Sequence, residues 1–459
     1  MRKEQRVTTG RTLDMTSGAI LPMILAFAVP MFIGNVFQQV YNMVDTMVAG
    51  YRLGDSAIAA IGATSSLYTL IVGFAVGLNS GYAIVVTRYF GAKNHDQLRR
   101  AVGGMGLFNG VMSLVLVGVT LPFLEVLLRA MNVPQNIFNS TYSYIGIIIA
   151  GMPATVGYNM FAAVLRSFGN SRTALYFLIL GCVVNIGLDL LFIILFNMGV
   201  AGAALATVLA QGLTAVLSGV YFVKKYPDFV PHRGDFVPNR AMAGDLLSNG
   251  FAMALMLSVI EVGSVVFQGA ANLLGGTAIA AHTAARRIIN ILMQPIFTLA
   301  TAHATFVAQN KGAGQYQRIR VGLRRVMAVE IGYALFTYLP AFLLGGWLVR
   351  FTTGTTSAQI LSLAQMSIRI HTSMMPALAV LICLRNFMQP MGRRVAPVIS
   401  SCIEMAMKFF SAAVLVPRLG FVGICITEPI TWVLMAVFLV IAYFATRQSM
   451  FDPGEEALT

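Results

Sequence analysis

Twelve apolar runs, each long enough to cross a bilayer as a helix, decide what this chain can fold into. They lie near 17–47, 57–87, 101–128, 138–164, 173–196 and 200–223, then near 247–271, 277–308, 326–349, 358–384, 395–416 and 420–445. About 20 consecutive apolar residues span the hydrocarbon core as an α-helix, and inside that core each backbone amide must find its partner within the protein. Of the 459 residues, 57% are hydrophobic and 10% are charged, which is too few charges for a soluble domain of this size. The expectation is an all-α membrane protein of twelve transmembrane helices. The first run follows a polar stretch of 16 residues and is too long for a signal peptide, so it reads as a mature spanning helix.

The charges sort by side. With both termini placed in the cytoplasm, 23 of the 31 Lys and Arg fall on inner segments, six fall at outer ends (Arg52, Arg129, Arg286, Arg287, Arg350 and Arg418), and Arg369 and Lys408 fall within spans. That is the bias of the positive-inside rule, so the net charge of +14 reflects topology and not a nucleic-acid surface. Cys182, Cys383, Cys402 and Cys425 all lie in apolar runs with no metal-ligand or disulfide spacing, and read as packing residues.

The two halves repeat. Ala57-Ile-Ala-Ala recurs as Ala278-Ile-Ala-Ala, Gly91-Ala as Gly312-Ala, and Gly199-x-x-Gly202 as Gly420-x-x-Gly423, all offset by 221 residues. Six spans per half preserve orientation, so the predicted fold is two six-helix lobes related by a pseudo-two-fold axis along the membrane normal. Alternating-access transporters have this architecture, with a site near the midplane. The expected segments are a cytoplasmic tail (1–16), an N-lobe (17–223), a Pro-containing cytoplasmic connector (224–246), a C-lobe (247–446) and a cytoplasmic tail (447–459).

Polar residues inside the spans need a reason. Asn35, Gln38, Asn42 and Asp45 follow a three, four, three spacing that puts them on one stripe of the first helix. Lipid cannot satisfy that stripe, and a mid-span carboxylate such as Asp45 costs about 2.5–3.5 kcal/mol on insertion scales. It is either a group tied to neighbouring helices or a titratable or cation-binding site in a transport pathway. The fifth span sets Asn185 and Asp189 four apart, the sixth sets Thr207 and Gln211 four apart, and the fourth contributes Tyr158 and Asn159. If these oxygen-bearing groups converge with Asp45 and Gln38 they make a hard-cation site; otherwise they are separate structural hydrogen bonds. Two carboxylates in one dry pocket cannot both stay ionised cheaply, so the same pocket suits a proton or Na⁺.

The chain resembles the multidrug and toxic compound extrusion (MATE) transporters over essentially its whole length. The resemblance rests on Gln38…Tyr41-Asn-x-x-Asp45, Arg88-Tyr-Phe-Gly-Ala-Lys, Arg166-Ser-Phe-Gly-Asn, Asn185-x-x-x-Asp189 and Gly199-x-x-Gly-Ala-Ala-x-Ala-Thr207. It implies two six-helix lobes and cation-coupled export of organic, often cationic and aromatic, compounds. It also implies a Na⁺ or H⁺ site at Asp45, Asp189, Gln38, Asn185 and Thr207. Glu261 stands where some members of the family carry a coupling glutamate. The tenth span reads Arg369-Ile-His-Thr-Ser-Met-Met and has no acid where some members have one.

Glu261, Asn42, Tyr41, Asn159 and Gln211 are expected to face the substrate cleft. Glu404 and Lys408 have the spacing of a structural ion pair, and His282, His303 and His371 read as packing residues. No phosphate-binding glycine loop, nucleophile elbow or zinc spacing occurs, so neither ATP use nor enzymatic chemistry is expected, and no cofactor beyond the coupling ion. The expected function is a secondary antiporter of the cytoplasmic membrane, working as a monomer. The alternative is a lipid-linked oligosaccharide flippase of the same superfamily, whose cavity would be rich in arginine rather than acidic.

Overall fold

The computed structural model describes residues 12–451; the side chains of Asn42, Asp45, Thr46, Ala49 and Asp55 also lie outside the described set. The chain divides into two compact units, one through Ser248 and one from Asn249. The first holds α1 (Ile20–Leu53), α2 (Asp55–Gly91), α3 (His95–Ala130), α4 (Phe138–Ala150), α5 (Met152–Ser167), α6 (Ser171–Asp189) and α7 (Gly199–Lys225). Helix α8 (Arg240–Asn272) carries the chain into the second unit. There follow α9 (Gly276–Gly312), α10 (Tyr316–Thr353), α11 (Ala358–Ser373), α12 (Met375–Met388), α13 (Val395–Phe410), α14 (Val416–Leu419) and α15 (Phe421–Phe451).

Among the described residues ten helices are long and apolar enough to span a membrane by themselves, and the bent pairs α4–α5 and α11–α12, each taken as one span, bring the spans to twelve. The fourth and tenth spans are therefore broken, by 48° and 51°, where the apolar pattern alone reads as continuous. Proline sits just inside the second helix of each pair, at Pro153 and Pro376, where its missing amide is no loss. Long exposed apolar faces, such as Leu335, Phe336, Leu339 and Leu343 on α10, are what a lipid-facing helix presents. Small residues take the helix contacts instead: Ala281, Ala284 and Ala285 of α9 are buried against α10 and α11.

The internal repeat extends to backbone detail. A π-helical turn, Leu190–Leu195, ends the fifth span, and another, Ser411–Leu415, ends the eleventh, starting 221 residues later. After each comes the repeated Gly-x-x-Gly. Gly199 and Gly420 take φ of 61° and 58°, which an L side chain resists. The second glycine packs against the π turn: a Cβ on Gly423 would lie 2.6 Å from the Leu415 carbonyl oxygen, and one on Gly202 would lie 3.1 Å from the Phe192 Cβ. The motif is thus a device for seating the next helix against a widened turn.

The connector is ordered on the first unit. Its short 3₁₀ turns, Pro227–Phe229 and Arg233–Phe236, pack through Phe229 against Phe90, Phe168 and Tyr226. Arg99 Nε donates to Asp235 Oδ2 at 2.5 Å, and the His232 amide donates to the same oxygen at 2.9 Å. Burial pushes the Asp235 carboxyl up, but these donors outweigh it and hold the group below its ordinary range. Farther along, Arg88 Nη2 meets Asp245 Oδ2 at 2.6 Å, which ties α2 to the start of α8.

Candidate functional site

In the first unit, α1, α5, α6 and α7 border a small, half-open cavity lined by Gln38, Tyr41, Tyr158, Asn185, Thr207 and Gln211. Helix spacing explains the lining. Asn185 and Asp189 lie one turn apart on α6, and Thr207, Gln211 and Thr214 form a stripe on α7. Both faces turn inward because lipid offers no partner. Asn185 is 2% exposed and Asp189 is 0% exposed.

Asn185 is the hub. Its amide is assigned with the oxygen toward Thr207, accepting from the Thr207 amide at 3.1 Å, with the Thr207 hydroxyl oxygen 3.3 Å away. Its nitrogen then donates to Asp189 Oδ2 at 2.9 Å and to the Tyr41 hydroxyl at 3.2 Å. Thr207 in turn donates to the Ala203 carbonyl at 3.1 Å. Asp189 does not line the cavity itself; Asn185 links its carboxylate to the wall. The π turn begins at the next residue, Leu190, so the carboxylate sits where the helix widens. Elsewhere on the wall, the Thr155 hydroxyl donates to Gln211 Oε1.

The cavity volume of about 40 Å³ sets what can enter. A water needs roughly 10–15 Å³ of such space, so two or three waters or one partly hydrated monovalent cation fit. A drug-sized molecule needs roughly 300 Å³ or more and does not fit. A neutral-oxygen wall with a carboxylate behind it suits a hard cation or a proton.

Of the residues singled out from the sequence, the structure brings Gln38, Tyr41, Asn185, Asp189, Thr207 and Gln211 to one place. Asn159 is turned to its own helix, where its amide nitrogen donates to the Thr155 carbonyl at 2.8 Å. The side chains of Asp45 and Asn42 fall outside the described residues. Sequence reasoning passed over Thr155, although its three-residue spacing from Tyr158 was a usable signal.

Glu261 belongs to the second unit, half-buried on α8, within electrostatic reach of Lys408, Glu404 and Arg286. Lys408 donates to Glu404 at 2.9 Å, as the four-residue spacing predicts, and also to Ser264 at 2.8 Å. Arg385 stands 3.7 Å from the other Glu404 oxygen. A second cluster has no local sequence signal at all: Arg286 Nη1 donates to Glu428 Oε1, across 142 residues, and His371 Nε2 lies 3.5 Å from Glu428 Oε2.

The MatE family model matches residues 30–191 and again 251–414, two copies that begin 221 residues apart and together cover more than half of the chain.

The chain belongs to the MatE family.

This MatE protein is a multi-pass membrane protein. It is similar to a Bacillus subtilis protein named "Probable multidrug resistance protein YpnP", at 28% identity over 316 residues, 67% of this chain and 69% of that one. A Shewanella oneidensis relative named "FAD transporter" is 25% identical over 332 residues, 71% of this chain and 73% of its own. The multidrug export protein MepA of Staphylococcus aureus is 21% identical over 352 residues, 76% of this chain and 77% of its own. Among solved structures, a MOP superfamily transporter from Pyrococcus furiosus matches with a TM-score of 0.86 at 21% identity, covering 96% of this chain and 99% of that one. Crystal structures of MATE in bent and in straight conformations match almost equally, with TM-scores of 0.87 and 0.85 at 21% identity; they cover 95% and 96% of this chain and 98% of each of theirs.

Proposed function

We propose that this MatE protein is a secondary antiporter that exports small organic compounds, often cationic and aromatic, in exchange for Na⁺ or H⁺ by alternating access. The observation that carries this reading is the fully buried Asp189 coupled through Asn185 to an oxygen-lined cavity of ion size. A charge in that position is expensive unless something enters to neutralise it. In the proposed cycle the cation or proton binds at Asp189 beside Thr207 and Gln38, Asn185 holds the carboxylate while the site is empty, and Asp45 supplies the second carboxylate. Neutralisation removes the penalty of packing α1 tightly against α6, so the closed and open packings of α1 exchange stability, with Pro30 as the weak point of the helix. The names of YpnP and MepA support multidrug compounds as the cargo, and that of the FAD transporter supports a wider range.

The protein works in the cytoplasmic membrane with both termini inside, as a monomer, without ATP, nucleic acid or a resident cofactor. The deciding experiment is uptake of a fluorescent organic cation into everted vesicles, with Na⁺ and pH gradients imposed separately. Transport driven by at least one gradient and lost in Asp189→Asn is expected. Transport indifferent to both gradients overturns the antiport reading.

A further inference from the structure

The internal repeat sets two surfaces in the same register. In the first unit Arg99 stands near the start of α3 and is answered by Asp235 of the connector, Nε to Oδ2 at 2.5 Å. The connector lies there on two glycines of α3. A Cβ on Gly103 would be 2.5 Å from the Asp235 carbonyl oxygen, and one on Gly104 would be 2.9 Å from Leu246 Cδ1 and 3.1 Å from Pro238 Cγ. The 221-residue repeat carries Arg99 to Arg320 on α10 and the two glycines to Arg324 and Arg325. Side chains now fill the space in which a segment seated like the connector would lie. The second unit has kept the cation, excluded that kind of protein cover and added two more cations.

No carboxylate in the described part of the unit answers them. The described carboxylates of the second unit are Glu261, Glu330, Glu404 and Glu428, and each lies inside an apolar run. Among the described residues none of the four pairs with Arg320, Arg324 or Arg325, and all three arginines are exposed.

Their position explains what they meet. Leu335 and Phe336 follow Arg324 and Arg325 by eleven residues, close to three full turns, so they share one exposed face of α10. The arginines therefore project on the side that faces lipid farther along the helix. Arg324 and Arg325 immediately precede the apolar run that begins at residue 326, and Arg320 lies four residues, about 6 Å, farther out. The headgroup layer on one side of a bilayer is about 5–7 Å deep, so the three side chains lie at the level of lipid phosphates.

Helix α15 ends at the same level. The Arg320 guanidinium carbon lies 4.7 Å above the ring of Phe451, the last residue of α15. Val437, Ile441 and Phe444 form an exposed apolar face on α15, and Arg447 follows, its guanidinium carbon 5.4 Å from the Phe444 ring centre. Both α10 and α15 pack on α12, so two lipid-facing surfaces flank that helix. Each carries, at the same end, an arginine whose planar fork is held against a ring.

We propose that Arg320, Arg324 and Arg447 clamp the phosphate of an anionic glycerophospholipid whose acyl chains lie along the apolar faces of α10 and α15. The lipid phosphate plays for Arg320 the part that Asp235 plays for Arg99. Guanidinium forks suit phosphate because each can give it two parallel hydrogen bonds. A zwitterionic headgroup brings its own ammonium into a patch of uncompensated positive charge, whereas an acidic headgroup does not, so the clamp selects acidic lipid. Such a clamp requires only a chain that spans a membrane, and it can fail while the antiport reading holds.

The test is native mass spectrometry of the full chain in detergent with phosphatidylglycerol or phosphatidylcholine of matched acyl chains. The unfolding midpoint is measured in the same mixtures. One phosphatidylglycerol should stay bound under conditions that strip phosphatidylcholine, and it should raise the midpoint by a few degrees through mass action. Inorganic phosphate should do neither, since it has no chains to lay on the apolar faces. Arg324→Gln with Arg447→Gln should lose both the retained lipid and the shift. Lys224→Gln with Lys225→Gln, which removes as much charge from an exposed site of the first unit, should keep both. Arg324→Lys with Arg447→Lys keeps the charge without the fork and should retain the lipid less well; it replaces the Gln variant if circular dichroism shows that one misfolded. Truncation after Phe451 removes Asp452, Glu455 and Glu456 and should leave lipid retention unchanged. Equal retention of the two lipids, retention of phosphatidylglycerol in the arginine variants as firmly as in the unaltered chain, or equal loss in the lysine control overturns the proposal. So does retention that appears only after truncation, which would make the chain's own acidic end the occupant of the patch.

Discussion

Replacing Asn185 by alanine should tighten the binding of the coupling cation, not weaken it. The Asn185 nitrogen donates to Asp189 Oδ2 at 2.9 Å, and its oxygen is occupied by the amide of Thr207, turned away from the carboxylate. In the empty state the amide therefore stabilises the anion and does not reach for a cation. A hydrogen bond to a charged group contributes about 1.5–3 kcal/mol in soluble proteins, while measured bonds within membranes average about 0.6 and reach about 1.7. Taking about 1–2 kcal/mol for a donor lost from a fully buried carboxylate gives an apparent affinity raised roughly 5- to 30-fold. Tyr41 lines the cavity, so water can take the place of the lost amide there and dilute the structural penalty. The assay is transport by everted vesicles across a series of Na⁺ concentrations at fixed pH and a series of pH values without Na⁺, with thermal stability of the purified variant as the control for folding. An affinity that falls, with stability preserved, would make the amide oxygen a direct ligand and refute the argument.

Asp189→Asn should abolish gradient-driven transport, while Thr207→Val, which keeps the shape and loses one hydroxyl, should change apparent cation affinity only about threefold or less, as befits one neutral bond; both are read in the same vesicles. Gly423→Ala should lower the unfolding midpoint more than Gly202→Ala, because the new methyl meets a backbone carbonyl at 2.6 Å in the first case and side-chain carbon at 3.1 Å in the second; about 1–3 kcal/mol is the usual range for such overpacking. Asp235, held below its ordinary range when folded, contributes stability that is complete above the unfolded carboxylate value near pH 4 and lost as pH falls through the folded value. Differential scanning fluorimetry between pH 3 and 6 should therefore show a steeper acid loss for the unaltered chain than for Asp235→Asn.

How much was legible in the chain follows from the range of the interactions involved. The twelve spans, their division into two sets of six and the 221-residue repeat were determined by sequence alone, since bilayer thickness sets run length and copied motifs keep their offset. Inward-facing stripes were legible for the same reason: Asn185 with Asp189, and Thr207 with Gln211, share a face by spacing, and lipid forbids them to point outward. The tertiary structure decided everything that joins residues from separate helices. Asn185 as hub between Asp189, Tyr41 and Thr207, the turning of Asn159 onto its own helix, and the size of the cavity depend on how α1, α5, α6 and α7 pack, which no one-helix periodicity contains. The π turns after Asp189 and Phe410 depend on hydrogen-bond register within a turn, to which apolar composition is blind. The link of Arg286 to Glu428 spans 142 residues with no shared pattern, because a charge pair is specified by where two helices meet and not by anything written beside either residue.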